Sequence, residues 1–281
     1  MRIRATVAAV TGALALSALA IPAAQAAPAT GTPYTLKASF SGLKTSSTVK
    51  IGAVAKVSTS YSFTLTHDAG VKISAKDFYT DAYLYRGSLD DPSAELYGDN
   101  PATCTATSST VATCKGTIDL QPHAAADADQ KLLNSYTGSW SVGAEAIAFN
   151  GQDLDDPDLS KVGYVEHGGM ATVTLQKYAK LTADASPEPV KKGKTLTVTG
   201  KLTRADWQNG TYTAYASQPV KLQFRKKGSS TYTTLKTVTT SSTGALKTTV
   251  TATQDGYYRY SFAGTSTTVA ENATDDYVDV Q

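Results

Sequence analysis

Apolar and polar residues alternate with a period of two along most of the chain. Tyr34, Leu36, Ala38 and Phe40 share one face of an extended segment, and Tyr61, Phe63 and Leu65 share a face of another. Ile118 and Leu120 repeat the pattern, Trp140, Val142, Ala144, Ala146 and Ala148 extend it, and Val173 and Leu175 close the first half. Successive side chains of a strand point to opposite faces, so this alternation predicts half-buried strands of antiparallel sheets. One stretch breaks it. Ala124 to Asn134 is Ala-rich and follows Pro122, which predicts one or two helical turns there.

The second half is more regular. Leu196, Val198 and Leu202 point one way along Thr195–Thr203, then Val220, Leu222 and Phe224, then Leu246, Val250 and Ala252. Tyr258, Tyr260 and Phe262 follow, and Tyr277 with Val280 ends the series. Turn signals separate these runs: Lys192-Gly193, Asn209-Gly210, Lys227-Gly228, Thr243-Gly244, Asp255-Gly256 and Ala263-Gly264. Roughly seven short strands in about 100 residues is the arithmetic of an immunoglobulin-like sandwich. The fold class read from the pattern is all-β, with two antiparallel β-sandwich domains, the C-terminal one immunoglobulin-like.

Composition agrees with that reading. Of 281 residues, 41% are hydrophobic and 18% charged, so the chain is neither membrane-like throughout nor disordered. Tyr outnumbers Phe by 16 to 6, which suits half-wet β-surfaces better than a helical core.

The N-terminus has a different character. Arg2 and Arg4 precede an apolar, Ala-rich run, and Ala24-Gln25-Ala26 supplies the small residues of a cleavage site. Residues 1–26 are read as a secretory signal peptide. The strongly apolar core, Ala13 to Ile21, is too short to cross a bilayer, and no second apolar stretch follows. The mature chain is therefore expected to be secreted, with no membrane span. Loss of Arg2 and Arg4 leaves 24 bases and 24 acids. Residues 27–177 hold 11 bases and 16 acids, net −5, and residues 178–281 hold 13 bases and 8 acids, net +5. A boundary is placed where the sign changes, giving an N-terminal sandwich over 27–177 and a C-terminal one over 178–281. The basic half could meet anionic polymers, or the asymmetry is ordinary surface charge.

Cys104 and Cys114 are the only cysteines. An even count in an exported chain favours a disulfide, here stapling a polar hairpin in the N-terminal domain.

The stretch Pro219-Val220-Lys221-Leu222-Gln223-Phe224-Arg225 precedes Lys227-Gly228, Tyr232, Ser242-Thr243-Gly244 and Asp255-Gly256-Tyr257-Tyr258-Arg259. This order of strand, glycine turn, aromatic, second glycine turn and "D-G-x-Y/W-R" strand resembles the immunoglobulin-like domains of secreted actinobacterial proteins. The resemblance covers residues 179–281 and implies a fold. Such domains occur as spacers, adhesins and accessory modules, so it brings no catalytic residues with it.

Candidate chemistry is sparse. Three histidines, no H-E-x-x-H and no G-x-S-x-G give no support for a metalloprotease or a nucleophile elbow. The metal candidate is the acidic turn Asp153, Asp155, Asp156 and Asp158, whose clustered carboxylates suit calcium, although EF-hand spacing fails. Asp90, Asp91, Glu95 and Asp99 form a second acidic turn that could converge with it. The ligand-binding candidate is Trp207, Tyr212 and Tyr215, whose rings could stack on sugars while Asp206, Gln208 and Asn209 bind hydroxyls. Against it stands Trp207 or Tyr215 plugging the end of the sandwich. Lys191, Lys192, Lys194 and Arg225-Lys226-Lys227 could meet anionic wall polymers or simply protect edge strands. Nucleic-acid binding is not expected.

Together these observations predict a secreted, non-enzymatic interaction module whose partner is an extracellular protein or a cell-wall polymer, with no cofactor beyond a possible calcium ion. A calcium-dependent carbohydrate- or wall-binding protein is the alternative, and a secreted enzyme without a recognisable motif is third.

Overall fold

A computed structural model describes residues 31–122 and 131–281. The leader at 1–26 and most of the helix expected over 124–134 lie outside the described residues. The described end of that stretch is not α-helical. Lys131–Leu132 forms a short strand parallel to Gln121–Pro122, and Asn134–Tyr136 makes a single 3-10 turn. An available strand partner overrides the weak helix preference of the sequence.

The chain forms two compact units. The first comprises the described residues up to Ser47, with Ser58–Leu120 and Ser139–Val173. The second comprises Thr48–Val57, the described part of Gln121–Gly138, and Thr174–Gln281. A contiguous division at 177/178 remains a proposal about folding domains.

Strands in chain order begin with β1 (Tyr34–Thr35), β2 (Ala38–Thr45), β3 (Thr48–Ile51), β4 (Val57–His67) and β5 (Phe78–Gly87). Next come β6 (Pro92–Leu96), β7 (Thr103–Ala106), β8 (Val111–Pro122), β9 (Lys131–Leu132), β10 (Gly138–Ala148) and β11 (Gly163–Lys177). In the first unit one sheet runs β2-β4-β8-β7 and the other β1-β11-β10-β5-β6. That is the A-B-E-D and G-F-C-C′ order of an immunoglobulin-type sandwich, with β1 added in parallel to β11. Phe40, Phe63, Leu65, Ile118, Leu120 and Trp140 are buried, as the alternation predicts. From Val142 to Ala148, β10 is buried on both faces, so its alternation is hidden. Cys104 and Cys114 lie directly opposite each other on β7 and β8 and are bonded.

The later strands are β12 (Ala179–Leu181), β13 (Asp184–Ser186), β14 (Thr195–Asp206), β15 (Thr211–Ala214) and β16 (Pro219–Lys226). They continue with β17 (Thr233–Thr239), β18 (Ala245–Thr251), β19 (Gly256–Phe262), β20 (Glu271–Asn272) and β21 (Asp276–Val278). In the second unit β12, β13, β15 and β18 all pair with β14, while β17-β16-β19 forms the other sheet, with β20 and β21 on β19. This is an immunoglobulin-like A-B-E and C′-C-F-G arrangement. Its core joins Leu196, Val198 and Leu202 to Val220, Leu222, Tyr258, Tyr260, Phe262 and Val278. No disulfide supports it among the described residues. Instead the Tyr260 hydroxyl crosses to the Val198 carbonyl at 3.0 Å, satisfying the one polar atom of a fully buried ring. Gly200 leaves room for that ring: a Cβ there would lie 2.8 Å from it and 2.3 Å from the Thr182 carbonyl.

One phase expectation fails. Val278, not Tyr277, faces this core. The register sets Tyr277 opposite Tyr257, which points away from the core, and Tyr277 follows it outward.

Candidate functional site

The acidic turn comes first. Asp153, Asp155 and Asp156 are exposed, and the turn is held by its own carboxylates. Asp153 Oδ1 accepts from the Asp155 amide at 3.0 Å. Asp158 accepts from the Ser160 amide and hydroxyl, capping a 3-10 turn at Leu159–Lys161, and pairs with Lys161 at 3.0 Å. These bonds, Ser160 and Lys161 above all, hold the Asp158 carboxyl below the usual carboxylate range. Among the described residues no group of three or more His, Cys, Asp or Glu side chains is gathered closely enough to hold a metal ion. The turn at Asp90 and Asp91 is therefore not brought together with it into an oxygen cage.

The segment 206–215 is arranged differently from an open aromatic platform. Trp207 is fully buried, and its indole N–H points to the Ile51 carbonyl at 3.5 Å. Tyr212 is half-buried with the Lys180 amine 4.1 Å above its ring. Tyr215 packs edge-on against Phe262 at 5.7 Å and carries the Arg204 guanidinium at 4.2 Å. The three rings thus serve separate contacts. Nor does Asp206 offer itself to a sugar: it accepts from the Gln208 and Asn209 amides at 3.1 Å each and from Asn209 Nδ2 at 2.8 Å.

Around Trp207 a buried polar cluster emerges that the sequence reading missed. Asn134 Nδ2 donates to Asp206 Oδ1 at 2.8 Å. Its Oδ1 accepts the Trp207 backbone N–H at 3.0 Å and also meets Lys177 Nζ. Lys177 is buried, 3% exposed, with its amine 5.0 Å from the centre of the Trp207 ring. Burial, with Arg204 nearby, pulls this amine down to about 8 against the opposing pull of Asp206. Burial alone would push Asp206 up, but its hydrogen bonds from Asn134, Asn209 and Gln208 hold it at about 2. One signal for Lys177 was legible: it continues the inward row Val173, Leu175 of β11.

A chemically distinctive surface lies on the outward face of the β17-β16-β19-β21 sheet. Arg225 lies opposite Tyr257, which lies opposite Tyr277, while Gln223 lies opposite Arg259. Cross-strand neighbours of this kind bring side chains into contact. The Arg225 guanidinium sits 3.9 Å over Tyr257 and 5.3 Å over Tyr232. Arg259 stacks 3.6 Å over Tyr232 and donates to Gln223 at 3.0 Å. Tyr257 and Tyr277 have ring centres 5.1 Å apart, with Lys227 5.3 Å from Tyr277. Asp275 anchors the group by pairing with Arg225 at 2.6 Å and accepting from the Tyr232 hydroxyl. Both contacts hold the Asp275 carboxyl below its ordinary range. Arg225, Tyr232, Tyr257, Arg259 and Tyr277 are all half-buried. The sequence marks only the basic run at Arg225 as a candidate contact, while Tyr232, Tyr257 and Arg259 enter it as parts of a fold motif. The tyrosines come together through register, which sequence spacing does not reveal.

No family model matches the chain, and no curated sequence matches it. Among solved structures it is similar to the Escherichia coli adhesin FdeC at 13% identity, over 90% of this chain and 67% of that one, with a TM-score of 0.32. It is similar to the Yersinia pseudotuberculosis adhesin InvE at 14% identity and a TM-score of 0.27, over 84% of this chain and 58% of that one. The D00-D0 domain of intimin aligns at 14% identity over 84% of this chain and 99% of that one, with a TM-score of 0.28. Likeness at this level assigns neither a family nor a function. No helix among the described residues is long and apolar enough to cross a membrane.

Proposed function

We propose that the protein is a secreted, non-catalytic interaction module that docks on an anionic cell-wall polymer through the Arg225, Tyr232, Tyr257, Arg259 and Tyr277 sheet face. The carrying observation is the stack of two guanidiniums on the half-buried Tyr232 and Tyr257 rings, with Tyr277 packed against Tyr257. Tyr and Arg, with Trp, are enriched in binding hot spots. Stacking on rings pre-orients each guanidinium, so less freedom is lost when an anionic group binds. The net charge of +5 over residues 178–281 favours an anionic partner. The leader-like residues 1–26 and the Cys104–Cys114 bridge support export to an oxidising compartment. An extracellular protein partner is the competing outcome.

Co-sedimentation with purified Gram-positive cell walls tests this reading, with calcium, with EDTA and at high salt. Pelleting that survives EDTA and is lost in salt is expected, because salt screens exposed charges beyond about 8 Å at physiological strength and more closely above it. Loss in EDTA would transfer the role to the acidic turn at Asp153–Asp158. No pelleting under any condition would end the wall-binding reading.

A further inference from the structure

The Lys177, Asn134, Asp206 and Trp207 cluster belongs wholly to the second unit, and the sheet-face reading makes no use of it. It sets a lysine amine against the oxygen of a carboxamide. Ionised Asp206 only accepts hydrogen bonds, so the contact at 2.8 Å fixes the Asn134 amide with Nδ2 towards Asp206. Oδ1 is thereby turned to Lys177 Nζ and to the Trp207 backbone N–H. A buried lysine is ordinarily matched to a carboxylate or loses its proton. Here its nitrogen meets an amide carbonyl instead, against an aromatic face that excludes water.

We propose that Lys177 and Asn134 are joined in the mature protein by an amide bond that the chain forms by itself. The neutral Lys177 Nζ adds to Asn134 Cγ, and the carbonyl π pair moves onto Oδ1. The Trp207 N–H, 3.0 Å from Oδ1, stabilises the negative charge that develops there. The proton lost by the attacking nitrogen passes to Nδ2, which Asp206 holds in place. The old Cγ–Nδ2 bond then breaks, the carbonyl re-forms, and ammonia leaves. Amine plus carboxamide gives a secondary amide plus ammonia, with no oxidant and no second reactant. Holding the two groups in contact supplies the high effective concentration that makes so slow a reaction feasible. The lowered proton affinity of Lys177 makes the neutral amine accessible near neutral pH. The product would close a covalent ring between the 3-10 turn at Asn134 and the end of β11, across a separation of 43 residues.

The test is the intact mass of the purified full chain, followed by tryptic mapping. A mass lower than the disulfide-bonded sequence by one ammonia is expected. Trypsin should fail to cut after Lys177, leaving peptide 132–161 joined to peptide 162–180. Lys177→Ala and Asn134→Ala should each abolish the ammonia loss. Asp206→Ala should leave the chain unlinked while the Cys104–Cys114 pair stays oxidised. The measurements on the unmodified sequence do not depend on any variant folding. A full-length mass with free cleavage after Lys177 would overturn the proposal, as would ammonia loss mapped to any other residue.

Discussion

The Tyr61 hydroxyl on β4 donates to Asp81 Oδ1 on β5 at 2.9 Å, and the Ala102 amide donates to the same oxygen at 3.0 Å. Burial nevertheless dominates and pushes the Asp81 carboxyl up from 3.8 to about 7, the two hydrogen bonds offsetting it only in part. Burial and the Asp81 charge likewise push the Tyr61 phenol up. For an acid whose folded-state pKa is raised, the folded state holds the proton more tightly than the unfolded chain. Stability from this group therefore falls as pH rises from 3.8 through about 7. Asp81→Asn keeps an acceptor for Tyr61 and Ala102 but cannot ionise. Relative to wild type the variant should gain about 2–4 kcal/mol between acidic and mildly alkaline pH, since each tenfold difference in proton affinity between the folded and unfolded chain is worth about 1.4 kcal/mol. Urea midpoints at both pH values measure it, and parallel pH dependences of the two proteins would contradict it.

The bond between Cys104 and Cys114 closes a short hairpin in the first unit, with a sequence separation of 10. Loops this short restrict the unfolded chain least, so the chain-entropy account gives a stabilisation of about 2–3 kcal/mol. Cys104→Ser/Cys114→Ser should lower the stability of the first unit by that amount and leave the second unit unchanged. Chemical denaturation followed by hydrogen exchange on each unit distinguishes the two responses. Equal destabilisation of both units would refute the local role.

Trp207 is packed within the second unit, with no exposed surface. Trp207→Ala should cost about 3–5 kcal/mol, the range for truncating a buried aromatic, and Trp207→Phe distinctly less. Trp140 is also buried, so both indoles of the chain are shielded. Fluorescence should be resistant to acrylamide and unchanged by titrated mono- and oligosaccharides. Sugar-dependent quenching would restore Trp207 as a ligand platform.

Period-two alternation exposed the strands because one face of most of them is wet. Leu196, Val198 and Leu202 could be read directly for that reason. The same pattern is unreadable where β10 is buried on both sides. Trp207 was hidden for another reason: its polar neighbours Asp206 and Asn209 suggest an exposed turn, yet the Asp206 carboxylate is turned onto the local amides, Asn209's among them. Lys177 was visible as a charge on an inward row, but its partner Asn134 is 43 residues away and only the fold unites them. The Arg/Tyr face depends on the register Arg225–Tyr257–Tyr277 across three strands, which no local spacing encodes.

That face yields the most direct functional prediction. Tyr257 touches both Arg225 and Tyr277, so its ring is the centre of the surface. Tyr257→Ala should loosen the Arg225 guanidinium and remove apolar area under it. Arg259→Ala removes one positive charge and frees the Tyr232 ring it covers. Each change should weaken cell-wall binding about tenfold, equivalent to about 1.4 kcal/mol, a typical hot-spot loss. Arg259→Lys keeps the charge but not the planar stacking group, and should recover only part of the affinity. Lys247→Ala, on an exposed position of β18 in the other sheet, removes the same charge without touching this surface. It should change pelleting little. Equal losses for Lys247→Ala and Arg259→Ala would mean that net charge alone governs attachment, and the specific role of the Tyr/Arg face would fall.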